Sequence, residues 1–176
     1  KWTHVCLVVP GYFNNNKFTY QYKNKKMQNW MFEFLLMDGI NGLRYIPLDK
    51  YLPTYDGEIQ IYEIITNKKK EEYFHKYINE LTIFLNKIIK EDKPFEKNLD
   101  ELENSLCGPK KKINNNYDYF FCSEFLSYCL KIMKMLPQNI SSNSYAPRLY
   151  GQDKTSIKQI KMLMVVALPM IERCFN

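Results

Sequence analysis

Histidine and paired cysteines are scarce in this chain of 176 residues. It contains only two histidines, His4 and His75, and its five cysteines include no Cys-x-x-Cys pair. A structural zinc site needs several such ligands at close spacing, so we expect neither a metal nor any other cofactor. An odd number of irregularly spaced cysteines also argues against a disulfide framework. It favours a reducing compartment such as the cytoplasm.

Long apolar runs are missing as well. No stretch approaches the ~20 apolar residues that span a membrane. The longest candidate, Met162 to Ile171, is interrupted by Pro169. The first residues lack the charged-then-apolar layout of a signal peptide. Because the chain opens at Lys1 and not at a methionine, we expect that a targeting segment can be missing from it.

The charge is unbalanced, with a formal net charge of +6 at pH 7. Lysines in polar, low-complexity segments supply much of it, at 23–26, 68–70 and 110–112. Such a balance attracts polyanions, so a peripheral contact with an anionic membrane remains open. No interleaving of basic and exposed aromatic residues is evident, and we therefore expect no specific nucleic-acid partner.

The length and a hydrophobic share of 45% predict one globular domain over residues 1–176. Patterns of period two and apolar runs predict strands at Thr3–Val9, Trp30–Met37, Glu58–Ile65 and Ile160–Ala167. A turn is expected at Pro10-Gly11, a hairpin or long loop over Tyr12–Gln28, and further turns at Asp38-Gly39 and Asn41-Gly42. The brief extended piece from Leu43 leads into a turn of helix.

An amphipathic helix is predicted over Lys70–Lys90 and a short one over Phe95–Leu106, within a helical and low-complexity insertion at 68–116. This order indicates an α+β fold with helices packed beside an antiparallel sheet.

A further amphipathic helix follows Phe121, with apolar residues at three- and four-residue spacing up to Met133. Pro137 is predicted to end this helix, and Asp118 to accept hydrogen bonds from its first turn. Cys122 therefore lies near a helix N-terminus, which favours the nucleophilic thiolate. The alternative is that Cys122 is a small core residue, like Cys129.

Two more residues suit catalysis. His4 lies on the first predicted strand and can act as a base near neutral pH, although a lone histidine on a buried strand is more often a core residue. Glu33 interrupts the apolar strand at Trp30–Met37, so it needs a cationic or hydrogen-bonding partner unless that strand lies at a sheet edge with Glu33 in solvent. Together the histidine, carboxylate and helix-start cysteine are the parts of a cysteine-nucleophile site.

The sequence also resembles a known family. Its segments Thr3–Val9, Phe32-Glu33-Phe34, Gly42–Leu48 and Phe121-Cys122-Ser123-Glu124-Phe125 are similar to the circularly permuted papain-like hydrolases of the NlpC superfamily, most of all the YiiX-like branch. The resemblance extends to Tyr145-Ala146-Pro147. Members of the family usually carry a strand and a loop before the histidine strand, and in this chain only three residues precede His4.

The resemblance implies a permuted papain-like fold in which Cys122 is the nucleophile, His4 the base and Glu33 the orienting acid. It implies a hydrolase that cleaves an amide or ester bond of a small-molecule, peptide or lipid substrate through an acyl-enzyme. Two alternatives stay open. One is a lipid acyltransferase or thioesterase of the same superfamily, although relatives of the lecithin retinol acyltransferase group use a second histidine in place of the glutamate. The other is an inactive binding module.

Overall fold

The structure is a computed structural model, which describes residues 4–20, 28–37, 39–55, 59–61, 68–95, 118–145 and 165–167. Within these ranges the elements are β1 (Leu7–Asn14), β2 (Lys17–Tyr20), β3 (Gln28–Met37), β4 (Ile40–Pro47), α1 (Leu48–Tyr51), β5 (Ile59–Ile61), α2 (Lys68–Glu91), α3 (Cys122–Ile132) and β6 (Val165–Ala167). Short 3-10 helices lie at Leu52–Thr54 and Ser142–Ser144. This is the mixed α+β architecture that the sequence predicted.

The first four strands form one antiparallel sheet in the order β2-β1-β3-β4. A two-residue turn joins β1 to β2, and both of its residues, Asn15 and Asn16, have positive φ. That geometry suits the right-handed twist of a hairpin, and asparagine tolerates it better than most residues. Strand β3 lies inside the sheet between β1 and β4. The described parts of the strands expected at Glu58–Ile65 and Ile160–Ala167 are β5 and β6, which pair with each other.

Two predicted turns are wrong for the same physical reason. Gly11 does not end the first strand, which continues to Asn14, and Gly42 lies within β4. A Cβ atom at Gly11 would lie 2.4 Å from the carbonyl oxygen of Thr19, and one at Gly42 would lie 2.4 Å from that of Lys93. Each glycine therefore allows a close approach of another backbone segment, a role that glycine also has inside strands.

The sheet has two buried faces. One carries Val5, Leu7, Val9, Phe32 and Phe34, and these pack with α2 and α3 into the main core. The other carries Cys6, Val8 and Met31, which pack with Leu48 and Tyr51 of α1. Because side chains alternate along a strand, Glu33 belongs to this second face, and His4 contacts it.

Helix α2 confirms the long amphipathic helix expected at Lys70–Lys90. Its buried residues Ile78, Leu81, Leu85 and Ile88 contribute to the main core. Asn86 also secures the edge of the sheet, because its Oδ1 accepts from the Phe18 N–H and its Nδ2 donates to the Phe18 carbonyl, both at 2.8 Å. The short helix expected at Phe95–Leu106 lies outside the described residues except for Phe95, and the side chain of His75 is not described.

Helix α3 begins at Cys122 as expected but ends at Ile132, five residues before Pro137. Lys134 has a φ of 57°, the Lys134 N–H donates to the Lys131 carbonyl and the Met135 N–H donates to the Leu130 carbonyl. These two bonds form a Schellman motif, which satisfies the last carbonyl groups of a helix. The prediction that Pro137 ends the helix was therefore wrong, because the left-handed residue at 134 closes it first.

Candidate active site

Aromatic packing places the start of α3 against the middle of the sheet. The ring of Phe34 on β3 lies 5.3 Å from that of Phe120 and 5.0 Å from that of Phe125, centroid to centroid. All three rings are fully buried. Phe34 follows Glu33 directly and points to the opposite face, so β3 positions both the acid and the helix that carries the cysteine.

Cys122 is the first residue of α3 and is 9% exposed. The extended residue Phe121 precedes it at the N-cap position, and no side chain caps this helix end. Asp118 is therefore not the cap that the sequence suggested; it is exposed and lies 3.9 Å from the Lys93 ammonium. His4 and the backbone N–H groups of Val5 and Ser123 lie close enough to the Cys122 sulfur to lower the pKa of its thiol.

His4 lies just before β1 and not on a strand, since the first strand residue is Leu7. Its side chain is buried, and its Nε2 lies 2.7 Å from Oε2 of Glu33. This contact leaves Nδ1 as the ring nitrogen available to Cys122. One imidazole thus joins the thiol to the carboxylate, which is the arrangement that orients a general base.

Glu33 is fully buried at the centre of β3, so the alternative of a solvent-exposed edge position is wrong. Both of its oxygens have partners. Oε2 contacts His4, and Oε1 accepts from Arg44, whose Nε lies 2.6 Å away and whose Nη2 also contacts it. The expectation that this carboxylate needs a cationic partner is confirmed, and it has two.

Arg44 is the residue of this cluster that the sequence analysis did not select. It lies directly opposite Glu33 in the β3–β4 register, which begins with Met37 paired to Ile40. The Asp38-Gly39 turn could have revealed it, because a two-residue turn at that point sets residue 33 opposite residue 44.

The electrostatics favour a charged thiolate–imidazolium pair. Burial alone would raise the pKa of Cys122, but the charge and hydrogen bond of His4 and two backbone N–H groups lower it below its usual value. Burial likewise acts to lower the pKa of His4, but Cys122 and Glu33 raise it to about 10. Burial acts to raise the pKa of Glu33, yet His4 and Arg44 hold it below its ordinary range. A low thiol pKa is what makes a cysteine nucleophilic at neutral pH.

Cys129 provides an internal comparison. It is fully buried on the same helix, and burial raises its pKa well above that of a free thiol. Glu124, two residues after Cys122, is buried in the first turn of α3, where the helix dipole favours a carboxylate.

No group of three or more histidine, cysteine, aspartate or glutamate side chains suited to a metal ion occurs among the described residues. No helix in the described ranges combines the length and apolar character needed to cross a membrane. No family model matches the sequence, and no curated protein or solved structure shows significant similarity to it. The function of the protein is therefore inferred from the geometry of Cys122, His4 and Glu33.

Proposed function

We propose that the protein is a cysteine-nucleophile hydrolase that cleaves an amide or ester bond through an acyl-enzyme intermediate. The observation that carries the proposal is the contact of one buried imidazole with both a helix-start cysteine and a buried carboxylate. A structural histidine needs a partner, but it does not need a thiol whose pKa is lowered on one side and a carboxylate held ionised on the other.

In the proposed reaction, the Cys122 thiolate attacks the carbonyl carbon of the substrate and a tetrahedral oxyanion forms. The His4 imidazolium then donates its proton to the leaving amine or alkoxide, and the C–N or C–O bond breaks. A water molecule next attacks the thioester while neutral His4 accepts its proton. Collapse of the second oxyanion releases the carboxylic acid and restores the thiolate–imidazolium pair.

Each residue has a distinct part in this sequence of steps. Glu33 holds the imidazole in one orientation and stabilises its positive charge, as the third member of a triad does. The backbone N–H groups at the start of α3 favour negative charge at the sulfur and at an oxyanion beside it. The His4 imidazole lies between the Glu33 carboxylate and the Cys122 thiol and so links the acid to the nucleophile.

The chain order also fits the permuted papain-like fold that we propose for this domain. The histidine comes first, just before β1, the glutamate follows on β3, and the cysteine comes last on a helix that packs against the sheet. The alternatives of acyl transfer and thioester cleavage share every step up to the acyl-enzyme and differ only in what accepts the acyl group.

Acylation of Cys122 tests the proposal. The protein is incubated with a panel of activated esters and amides that carry small, peptidyl or long-chain acyl groups, and its intact mass is followed. We expect a mass gain equal to one acyl group on Cys122, its decay on release of product, and neither in Cys122→Ala. Cys129→Ala is the matched control and should react normally.

Turnover that persists in Cys122→Ala would contradict the proposal. So would the absence of acylation by every member of the panel in a protein whose Cys122 is readily alkylated, a result that would favour a binding module. If the acyl-enzyme transfers its acyl group to an added lysophospholipid faster than to water, the protein is an acyltransferase.

A further inference from the structure

Arg44 reaches the acid of the site from the side opposite to His4. Its Nε and Nη2 atoms both contact Oε1 of Glu33, whereas the other carboxylate oxygen, Oε2, contacts His4. Each of the two cations therefore contacts a different oxygen of the Glu33 carboxylate. An arginine contact through two nitrogen atoms restrains the direction as well as the position of a carboxylate.

The arginine is itself held in place. Its guanidinium carbon lies 5.1 Å from the centre of the Tyr51 ring, and Tyr51 is buried in the cluster on the second face of the sheet. The backbone register fixes its other end, because Arg44 pairs with Glu33 across β3 and β4. A guanidinium that stacks on a ring and is hydrogen-bonded is held in one orientation, so Arg44 presents its donors to Glu33 in a fixed geometry.

The sign of the charge alternates from each group of the site to the group that it contacts. The order is thiolate at Cys122, imidazolium at His4, carboxylate at Glu33 and guanidinium at Arg44. Glu33 is completely buried, so an uncompensated negative charge there would be costly. Two other titratable groups lie on this face of the sheet. Tyr51 is neutral at physiological pH because burial and the Glu33 charge raise its pKa, and Cys6 lies in the same buried cluster as Tyr51. Arg44 is thus the group that can keep Glu33 ionised without drawing on His4.

We propose that Arg44 is a positioning residue of the active site, which holds Glu33 ionised and oriented so that its second oxygen serves His4. The inference rests on the proposed function, since it assigns Arg44 a part in activating Cys122. Without Arg44, Oε1 loses both donors, and the buried carboxylate either takes up a proton or turns towards another donor. In both cases the imidazolium loses part of its support and the thiolate becomes less populated.

A double-mutant cycle on thiol reactivity tests this without any substrate. The rate of alkylation of Cys122 by chloroacetamide is measured by peptide mass spectrometry from pH 5 to 9 in wild type, Arg44→Met, Glu33→Gln and the double variant. Methionine preserves packing on the Tyr51 ring because its thioether contacts aromatic rings favourably. Arg44→Lys is the conservative variant, which keeps the charge but not the two-nitrogen contact.

We expect Arg44→Met to slow alkylation at pH 6 about tenfold and to move the acid limb of the profile to higher pH, with Arg44→Lys intermediate. In the Glu33→Gln background, Arg44→Met should cause no further loss, because there is no longer a carboxylate to hold. A purely structural arginine would instead slow both backgrounds equally. That additive result, or an unchanged profile in Arg44→Met, would overturn the proposal.

The outcomes separate this inference from the proposed hydrolase. If Cys122 is activated in a manner that depends on Arg44, but no ester or amide is cleaved, the positioning role stands and the hydrolase does not. If wild-type Cys122 reacts only as an ordinary thiol, both fall. Should Arg44→Met fail to fold, the loss in Arg44→Lys, compared with and without Glu33→Gln, decides by the same criterion.

Discussion

Cys122 and Cys129 lie on the same helix, seven residues apart, both face the main core, and yet their pKa values move in opposite directions. The helix and the burial are common to both residues. What differs is the imidazole of His4 and the backbone N–H groups of Val5 and Ser123, which lower the pKa of Cys122. Position on the helix therefore separates a reactive thiol from an inert one.

This contrast predicts selective alkylation. At pH 6, chloroacetamide should modify Cys122 roughly tenfold or more faster than a free thiol of ordinary pKa, even after allowance for the lower nucleophilicity of a low-pKa thiolate. His4→Ala should abolish the advantage, because burial then raises the pKa of Cys122. Peptide mass spectrometry reads the rate at each site. Equal labelling of Cys122 and Cys129 across the pH range would contradict the assignment.

The lowered pKa of Glu33 predicts a specific loss of stability in acid. Because the folded-state pKa lies below the unfolded value, the contribution of Glu33 is fully present above about pH 4.5 and is lost as the pH falls through the folded-state pKa. Urea unfolding from pH 7 to 3 should show wild type losing up to about 1.4 kcal/mol per pH unit more than Glu33→Gln in that window. His4 adds no slope there, since below pH 5 it is protonated in both states. Parallel curves for the two proteins would disprove the linkage.

Asn86 is predicted to stabilise the sheet edge. Its amide satisfies both backbone groups of Phe18, so Asn86→Ala leaves a partly buried N–H and carbonyl without their partner. We expect a loss of about 1–3 kcal/mol in the free energy of unfolding. Lys87→Ala, one residue along the same helix and largely exposed, is the matched control and should change it by less than about 0.5 kcal/mol. Similar losses in both variants would rule out a special role for the amide.

Lys134 offers a stabilising substitution. It occupies the left-handed position that closes α3, where a Cβ atom is unfavourable and glycine is not. Lys134→Gly should therefore raise the free energy of unfolding by about 1 kcal/mol. Lys134→Ala retains the Cβ atom and should leave stability nearly unchanged. The free energy of unfolding of both variants is measured in urea. If Lys134→Ala raises it as much as Lys134→Gly does, the prediction is wrong.

Local pattern was enough to predict the elements that carry the candidate site. The apolar run around Glu33 predicted a buried strand, the three- and four-residue spacing predicted α2 and the start of α3, and the mixture of strands and helices predicted an α+β fold. Chemistry and the family resemblance together selected His4, Glu33 and Cys122, since a buried carboxylate needs a cation and a helix-start thiol gains from one. Each of these inferences depends on the sequence immediately around one residue.

Only the tertiary structure decided which groups meet. Gly11 and Gly42 are typical of turns in the local sequence, but Gly11 admits the backbone of the neighbouring strand at Thr19 and Gly42 admits that of the distant Lys93. The contact of His4 with Glu33 spans 29 positions, and His4 and Cys122 lie still further apart in the sequence. The place of Arg44 on the far oxygen of Glu33 follows from strand register. The pKa values depend on these contacts and on burial, because charge interactions act through space and not along the chain.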